Sequence, residues 1–309
     1  MKKLDFLIVG AQKAGTTTLF ENLRKHRAVS MPLEKEVPFF SNENCDEDAW
    51  ATFCQRNFDG VSTDTLWGKA SPQYMCDPRA PARIKALMPD VKLVAILRDP
   101  IRRTYSHFQM GQRRDTENRM FEEAVSQLLS AEALERGRKQ ELPEHATGYE
   151  SESEFYVAWS EYGRILSGFL KHFDRKQILV LYTDDLKKTP EATLDNLLVF
   201  LGLEPGYRPT NLGQEFHRGG SETIVPHSAR LWLRKRAIVY RAWKLLPDQI
   251  QGRLRFRYEQ LNIRKTRATV EIPLTGVGYE NLRRHFENDL RLLSKITDQK
   301  PGWASTYSG

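Results

Sequence analysis

Cysteine is scarce in this chain: Cys45, Cys54 and Cys76 are the only three. They form no CxxC pair and are odd in number, which argues against a disulfide framework or a structural zinc site and suits a reducing cytoplasm. Long apolar runs are missing too, so no transmembrane helix is expected. The start, Met1-Lys2-Lys3 followed by Phe6 to Val9, has too short an apolar run for a signal peptide, since Asp5, Gln12 and Lys13 bound it. It reads as a mature N-terminus. Internal repeats and low-complexity tracts are also lacking, which excludes solenoids and fibrous arrays. An apolar fraction of 40% and a charged fraction of 28% are those of an ordinary soluble globular protein.

Positive charge is in excess. The net charge is +7 and the pI is near 9.2, which favours an anionic partner such as a nucleotide, a nucleic acid, an acidic glycan or a membrane surface. Ser228 to Arg267 hold twelve Lys/Arg against two Asp/Glu, so this segment accounts for the whole excess. Leu231, Trp232, Ile238, Val239, Trp243 and Leu245 are interleaved among its arginines, the pattern of helices with a solvated basic face. Such a face could also guide an acidic substrate or rest on a membrane surface.

Three short apolar runs read as buried parallel strands: Phe6-Leu7-Ile8-Val9, Leu93 to Leu97 and Ile178 to Tyr182. Helical spacing follows the first at Thr17 to Lys25 and the third at Thr193 to Leu201. Asp99-Pro100 supplies an N-cap and a first helical residue after the second, for a helix running to about Arg114. Further helices are expected over Phe121 to Arg136 and Phe155 to Phe173. The polar stretch from Gly137 to Glu154 between them reads as a mobile surface loop or lid. Alternation of this kind means a parallel sheet. The expected architecture is a single α/β domain over 1–309, three-layer α/β/α with a central parallel sheet over 1–212. After Gly213 the strands stop, and 213–309 form a basic, mostly helical C-terminal part.

Between the first strand and helix lies Gly10-Ala11-Gln12-Lys13-Ala14-Gly15-Thr16-Thr17. Glycines there let backbone N–H groups curl round a phosphate, and the helix N-terminus adds positive potential. The Walker lysine is absent: Thr16 takes its position and the lysine has moved to Lys13. The second strand ends in Arg98 rather than a metal-binding Asp, so the arrangement suits a nucleotide without a γ-phosphate, and a P-loop kinase or NTPase is the disfavoured alternative. Arg98 at a strand's carboxyl end and Ser106 two turns into the next helix could grip one phosphate from two sides.

These residues resemble the sulfotransferases that use 3′-phosphoadenosine 5′-phosphosulfate (PAPS), particularly the branch of heparan sulfate sulfotransferases and their bacterial relatives. Gln12 to Thr17 look like the family's 5′-phosphosulfate loop. The resemblance implies a P-loop NTPase-like sulfotransferase fold, with Lys13, Ala14, Gly15, Thr16, Thr17 and Thr18 on the donor's 5′ end. Leu97 to Ser106 are similar to the 3′-phosphate motif, which implies that Arg98 and Ser106 bind the 3′-phosphate. Lys35-Glu36-Val37-Pro38-Phe39-Phe40 resembles the segment whose glutamate is the general base, which implies Glu36 as catalytic base beside catalytic Lys13. Arg218-Gly219-Gly220 resembles the basic-glycine element that closes over the 3′-phosphate, implying donor contacts from Arg218 and Gly219.

Gly68-Lys69-Ala70-Ser71-Pro72-Gln73-Tyr74 departs from the family's G-E-K-S-P-x-Y: lysine replaces glutamate and alanine replaces the second functional lysine. No role passes to Lys69 from the resemblance. Asp184-Asp185-Leu186, Phe200-Leu201-Gly202 and Trp303 echo later family elements, so the likeness runs nearly the full length. It implies metal-free sulfuryl transfer from PAPS to the hydroxyl of a glycan, lipid or natural product, anionic and carrier-bound acceptors included, leaving adenosine 3′,5′-bisphosphate. A non-catalytic adenosine-bisphosphate binder is the second alternative, and nucleic acid is not an expected partner. His107 and His217 rank below Glu36 as bases, because a lone histidine in a polar context is more often structural.

Overall fold

A computed structural model describes residues 1–114, 116–142, 152–214, 222–223, 263–264, 276–299 and 301–307. Its centre is a five-stranded sheet of β1 (Phe6–Gly10), β2 (Val29–Ser30), β3 (Leu66–Ala70), β4 (Lys92–Leu97) and β5 (Ile178–Tyr182). The spatial order is β2-β3-β1-β4-β5, and every pairing is parallel. Strand β1 is buried along its whole length, as its unbroken apolar run requires. Because β3 lies on one side of β1 and β4 on the other, the chain reverses direction across the sheet at β1. The loop after β1 therefore opens into the crevice where α/β proteins bind ligands.

Helices flank the sheet: α1 (Thr16–Leu23), α2 (Glu47–Asn57), α3 (Ala80–Leu87), α4 (Pro100–Arg113), α5 (Phe121–Leu128), α6 (Ala131–Lys139), α7 (Tyr162–Leu170), α8 (Thr183–Lys188), α9 (Pro190–Leu201) and α10 (Val277–Thr297). The Asp99 side chain caps α4 by accepting the Arg102 N–H at 2.8 Å, with proline at the first helical position. Helix α10 packs on α4, α5 and α7 and buries Leu282, Phe286, Leu290 and Leu293. Its Asp289 carboxylate accepts the N–H groups of Gly163 and Arg164 at 2.9 and 2.8 Å, satisfying the start of α7. Gly163 has no alternative here, since a Cβ would stand 2.3 Å from the Asp289 carbonyl oxygen.

Several expectations need correction. The Phe155–Phe173 helix is broken: Ala158–Ser160 form one 3₁₀ turn, Glu161 leaves helical geometry, and α7 begins at Tyr162. Glu161 turns the chain because its carboxylate binds Arg138 of α6, Arg164 of α7 and His285 of α10. The expected Phe121–Arg136 helix divides at Ser130, whose hydroxyl caps α6 by accepting the Ala133 N–H. Both ends of the expected 137–154 loop are built in: Gly137 to Lys139 finish α6, and Glu152 is buried. Residues 143–151 lie outside the described residues. Strands do not stop at Gly213, for Glu222–Thr223 (β6) and Ile263–Arg264 (β7) pair antiparallel. Two-residue strands are too short to leave an alternating pattern. Apart from β7, the basic segment 228–267 is outside the described residues. In the C-terminal part, α10 is helical as expected.

Candidate active site

The loop from Gly10 to Gly15 holds the site because its backbone has little choice of path. A Cβ on Gly10 would meet Met75 at 2.5 Å, so only glycine lets the turn Pro72–Met75 pack over the end of β1. Lys13 and Gly15 both lie in the left-handed region, at φ 71° and 111°, a conformation that aims successive N–H groups to one side. No side chain caps α1. The first amides of that helix, on Thr16, Thr17 and Thr18, are therefore left for an anion. The Thr183 hydroxyl at the start of α8 lies 2.5 Å from the Ala14 carbonyl and 3.1 Å from that of Leu97, tying the loop to the ends of β4 and β5.

Arg98 Nη1 donates to the Lys13 carbonyl at 3.3 Å, so the residue that ends β4 reaches the loop. The Lys13 ammonium is driven down to about 7 by burial, then by the guanidinium charges of Arg113, Arg114 and Arg98, while Glu36 opposes them. Four cationic side chains thus crowd one loop, an arrangement that a multiply charged anion would relieve. Ser106 is buried in α4 two turns after Pro100. Arg218 and Gly219 lie outside the described residues, as does His217.

Glu36 sits across the crevice on the segment between β2 and α2. Its carboxylate takes a hydrogen bond from Lys35 Nζ and one from Gln73 Nε2 at 3.1 Å. Burial raises its proton affinity, but the charge and hydrogen bond of Lys35, with help from Gln73 and Arg114, bring it below the ordinary carboxylate value. At neutral pH it is ionised and faces the Lys13 charge. The structure therefore brings Lys13, Arg98 and Glu36 together around the loop, with Thr16 to Thr18 at its helical end. An ionised carboxylate beside an anion cradle can accept a proton from a hydroxyl or amine brought against the bound anion.

Some residues of this centre are not evident from sequence. His107 is buried with Nδ1 3.2 Å from Arg103 Nη2 and Nε2 2.7 Å from Glu152 Oε2. Since arginine can only donate, Nδ1 accepts and Nε2 carries the proton. Burial lowers this imidazole to about 4 despite the Glu152 hydrogen bond, so it is neutral and structural. Glu152 Oε2 also accepts from Gln12 Nε2 at 2.9 Å, anchoring the phosphate loop from behind. Residues 12, 107 and 152 share no local spacing; Gln12 and His107 were each singled out in the sequence, but Glu152 and the bonds joining the three were not. Lys69, fully buried in β3, bonds Ser71 Oγ and lies 3.1 Å from Tyr74 Oη.

Comparison with known proteins shows the family and the fold. A family model described as "Sulfotransferase domain" matches residues 3–215. The bifunctional heparan sulfate N-deacetylase/N-sulfotransferase 1 of Caenorhabditis elegans is 29% identical over 204 residues, covering 64% of this chain and 22% of that protein. The heparan sulfate glucosamine 3-O-sulfotransferase 3B1 of Homo sapiens is 27% identical over 204 residues, covering 64% of this chain and 46% of that protein. The chain thus spans about a fifth of the first of these relatives and under half of the second. A crystal structure of a sulfotransferase from Alicyclobacillus acidocaldarius superposes with a TM-score of 0.66 at 21% identity, covering 100% of both chains, and shares the fold.

Proposed function

Because this chain belongs to the sulfotransferase family, we propose that it moves a sulfuryl group from PAPS to an acceptor hydroxyl. The observation that carries the reading is the convergence of Lys13, Arg98 and Glu36 on a loop with left-handed backbone at Lys13 and Gly15 and an uncapped helix start. The residues fit such a donor: four cationic side chains crowd the loop beside an uncapped helix start, and a 5′-phosphosulfate with a 3′-phosphate is an anion of matching charge.

PAPS, when bound, supplies a sulfuryl group on a phosphate leaving group. Lys13 neutralises charge on the leaving oxygen, and the amides of Thr16, Thr17 and Thr18 hold the 5′ end. Arg98, with Ser106, holds the 3′-phosphate. Glu36 takes the proton from the acceptor hydroxyl. Acceleration then comes from positioning and electrostatic stabilisation by fixed groups. The three free thiols suit action in a reducing cytoplasm; among the described residues no helix is long and apolar enough to cross a membrane.

The test is calorimetric titration with adenosine 3′,5′-bisphosphate, with AMP and magnesium ATP as controls, followed by transfer from labelled PAPS to a panel of acceptors. Binding that requires the 3′-phosphate, and label appearing as a sulfate ester, is the expected result. Preference for magnesium ATP would overturn the reading.

A further inference from the structure

Strand β3 is the one sheet strand that carries a buried ammonium group. Lys69 sits beside β1, with Leu7 as its register partner and none of its surface exposed. Its Nζ bonds the Ser71 hydroxyl, lies 3.1 Å from Tyr74 Oη and stands 4.6 Å from the centre of the Tyr74 ring. Tyr74 Oη in turn accepts the backbone N–H groups of Phe39 at 2.8 Å and Phe40 at 3.1 Å. Its neighbour Gln73 donates to Glu36 Oε2 at 3.1 Å. A single strand and turn thus hold the segment bearing Glu36 at both ends, through Gln73 at one and the Lys69–Tyr74 pair at the other.

We propose that Lys69 is a positioning residue for Glu36, a buried amine that fixes the Lys35–Phe40 segment through Tyr74. The inference rests on Glu36 being the base.

Hydrogen-bond capacity supports it. With two backbone donors on the Tyr74 oxygen, its lone pairs are used, and its own hydrogen needs an acceptor. A neutral Lys69 amine provides one; a charged Lys69 cannot, and leaves that role to Ser71. The charged groups facing Lys69 are Glu36 and Lys35 from the opposite segment, and Tyr74 is its titratable neighbour on the turn. Burial lowers the ammonium to about 7, with Glu36 opposing and Lys35 assisting. The sign follows. Charged Lys69 stabilises the Glu36 carboxylate and weakens it as a base; neutral Lys69 leaves it more basic. Catalysis by Glu36 should therefore strengthen as pH rises through neutrality.

The experiment is a carbon-13 NMR titration of lysine Cε and glutamate Cδ in the full chain, for wild type, Lys69→Met and Tyr74→Phe, with kcat measured on the same samples. Two lysine signals titrating near 7, those of Lys13 and Lys69, should be present in wild type, and one of them should be missing in Lys69→Met, where the Glu36 midpoint should move up. In Lys69→Met, kcat should fall roughly tenfold or more through misplacement of the base. Adenosine 3′,5′-bisphosphate affinity should stay within about twofold, because the lost contact serves the base and not the nucleotide. The rise of kcat near neutrality should flatten as well. Tyr74→Phe keeps the amine and removes the bridge, so kcat should fall while the lysine midpoint shifts. An unmoved Glu36 midpoint in Lys69→Met, or in Tyr74→Phe an unmoved lysine midpoint with wild-type kcat, overturns the proposal. Should wild type transfer no sulfuryl group, the reaction reading fails, and the NMR midpoints still decide the coupling of Lys69 to Glu36.

Discussion

Glu36 is held between two pulls: burial favours its neutral form, and Lys35, Gln73 and Arg114 favour the carboxylate. Replacing it by glutamine keeps the shape and removes the base, so Glu36→Gln should lower kcat by roughly 10² to 10⁴ and leave nucleotide affinity nearly intact; single-turnover transfer and calorimetry separate the two. Arg98→Ala should act in the opposite sense, weakening adenosine 3′,5′-bisphosphate binding in the same calorimeter, because its contact precedes the reaction. Lys13 adds a proton linkage. Its ammonium lies near 7 in the free protein, and a bound phosphate must raise it. Nucleotide binding at pH 8 should therefore take up close to one proton, and at pH 5.5 almost none; titrations in buffers of different ionisation heat measure this. Lys13, Glu36 and Arg98 could be picked out as candidates because each sits in a short motif. The roles of Glu152 and Gln12 were not, since their partners are 45 and 140 residues away and no local period records such distances.

Among the elements, the junction of α6, α7 and α10 is held by one carboxylate. Glu161 is nearly buried, and although burial would raise it, His285, Arg138 and Arg164 bring it down to about 2. Its contribution to stability is present above the ordinary carboxylate range and is lost as pH falls toward 2. Glu161→Gln should destabilise the chain by on the order of 3 kcal/mol at pH 7, because Arg138 and Arg164 lose their anion. The difference from wild type should shrink below pH 4 in urea titrations. This same residue explains why the Phe155–Phe173 helix could not be read correctly: apolar spacing continues through it, and only tertiary ion pairs break it. Strand β3 was hidden for a related reason. Leu66-Trp67-Gly68-Lys69-Ala70 has a lysine in place of an apolar residue, and the charge masks a strand that lies beside β1. The strands β1, β4 and β5 were legible because their apolar runs are unbroken.

For the molecule as a whole, buried amines shape the pH dependence of stability. Lys69 moves from an ordinary value of 10.5 when unfolded to about 7 when folded, so between these values the unfolded chain binds more protons. The lysine contribution to stability should then rise with pH from 7 toward 10, by up to about 1.4 kcal/mol per unit for each such lysine, with the buried thiols Cys54 and Cys76, both pushed up by burial, opposing it above about pH 9. Urea midpoints from pH 6 to 9.5 check this, and Lys69→Met should flatten part of the slope. The parallel α/β class was legible from strand–helix alternation. The pairing order was not, since it depends on which strand lies beside β1. Time enters through Asp289, which completes the start of α7 from 126 residues further along the chain. At ordinary rates of synthesis a ribosome needs on the order of 10 s to deliver that stretch. Through that interval the nascent chain carries an incompletely closed helix and an uncovered apolar face, and the interval before α10 arrives is when it most needs a chaperone.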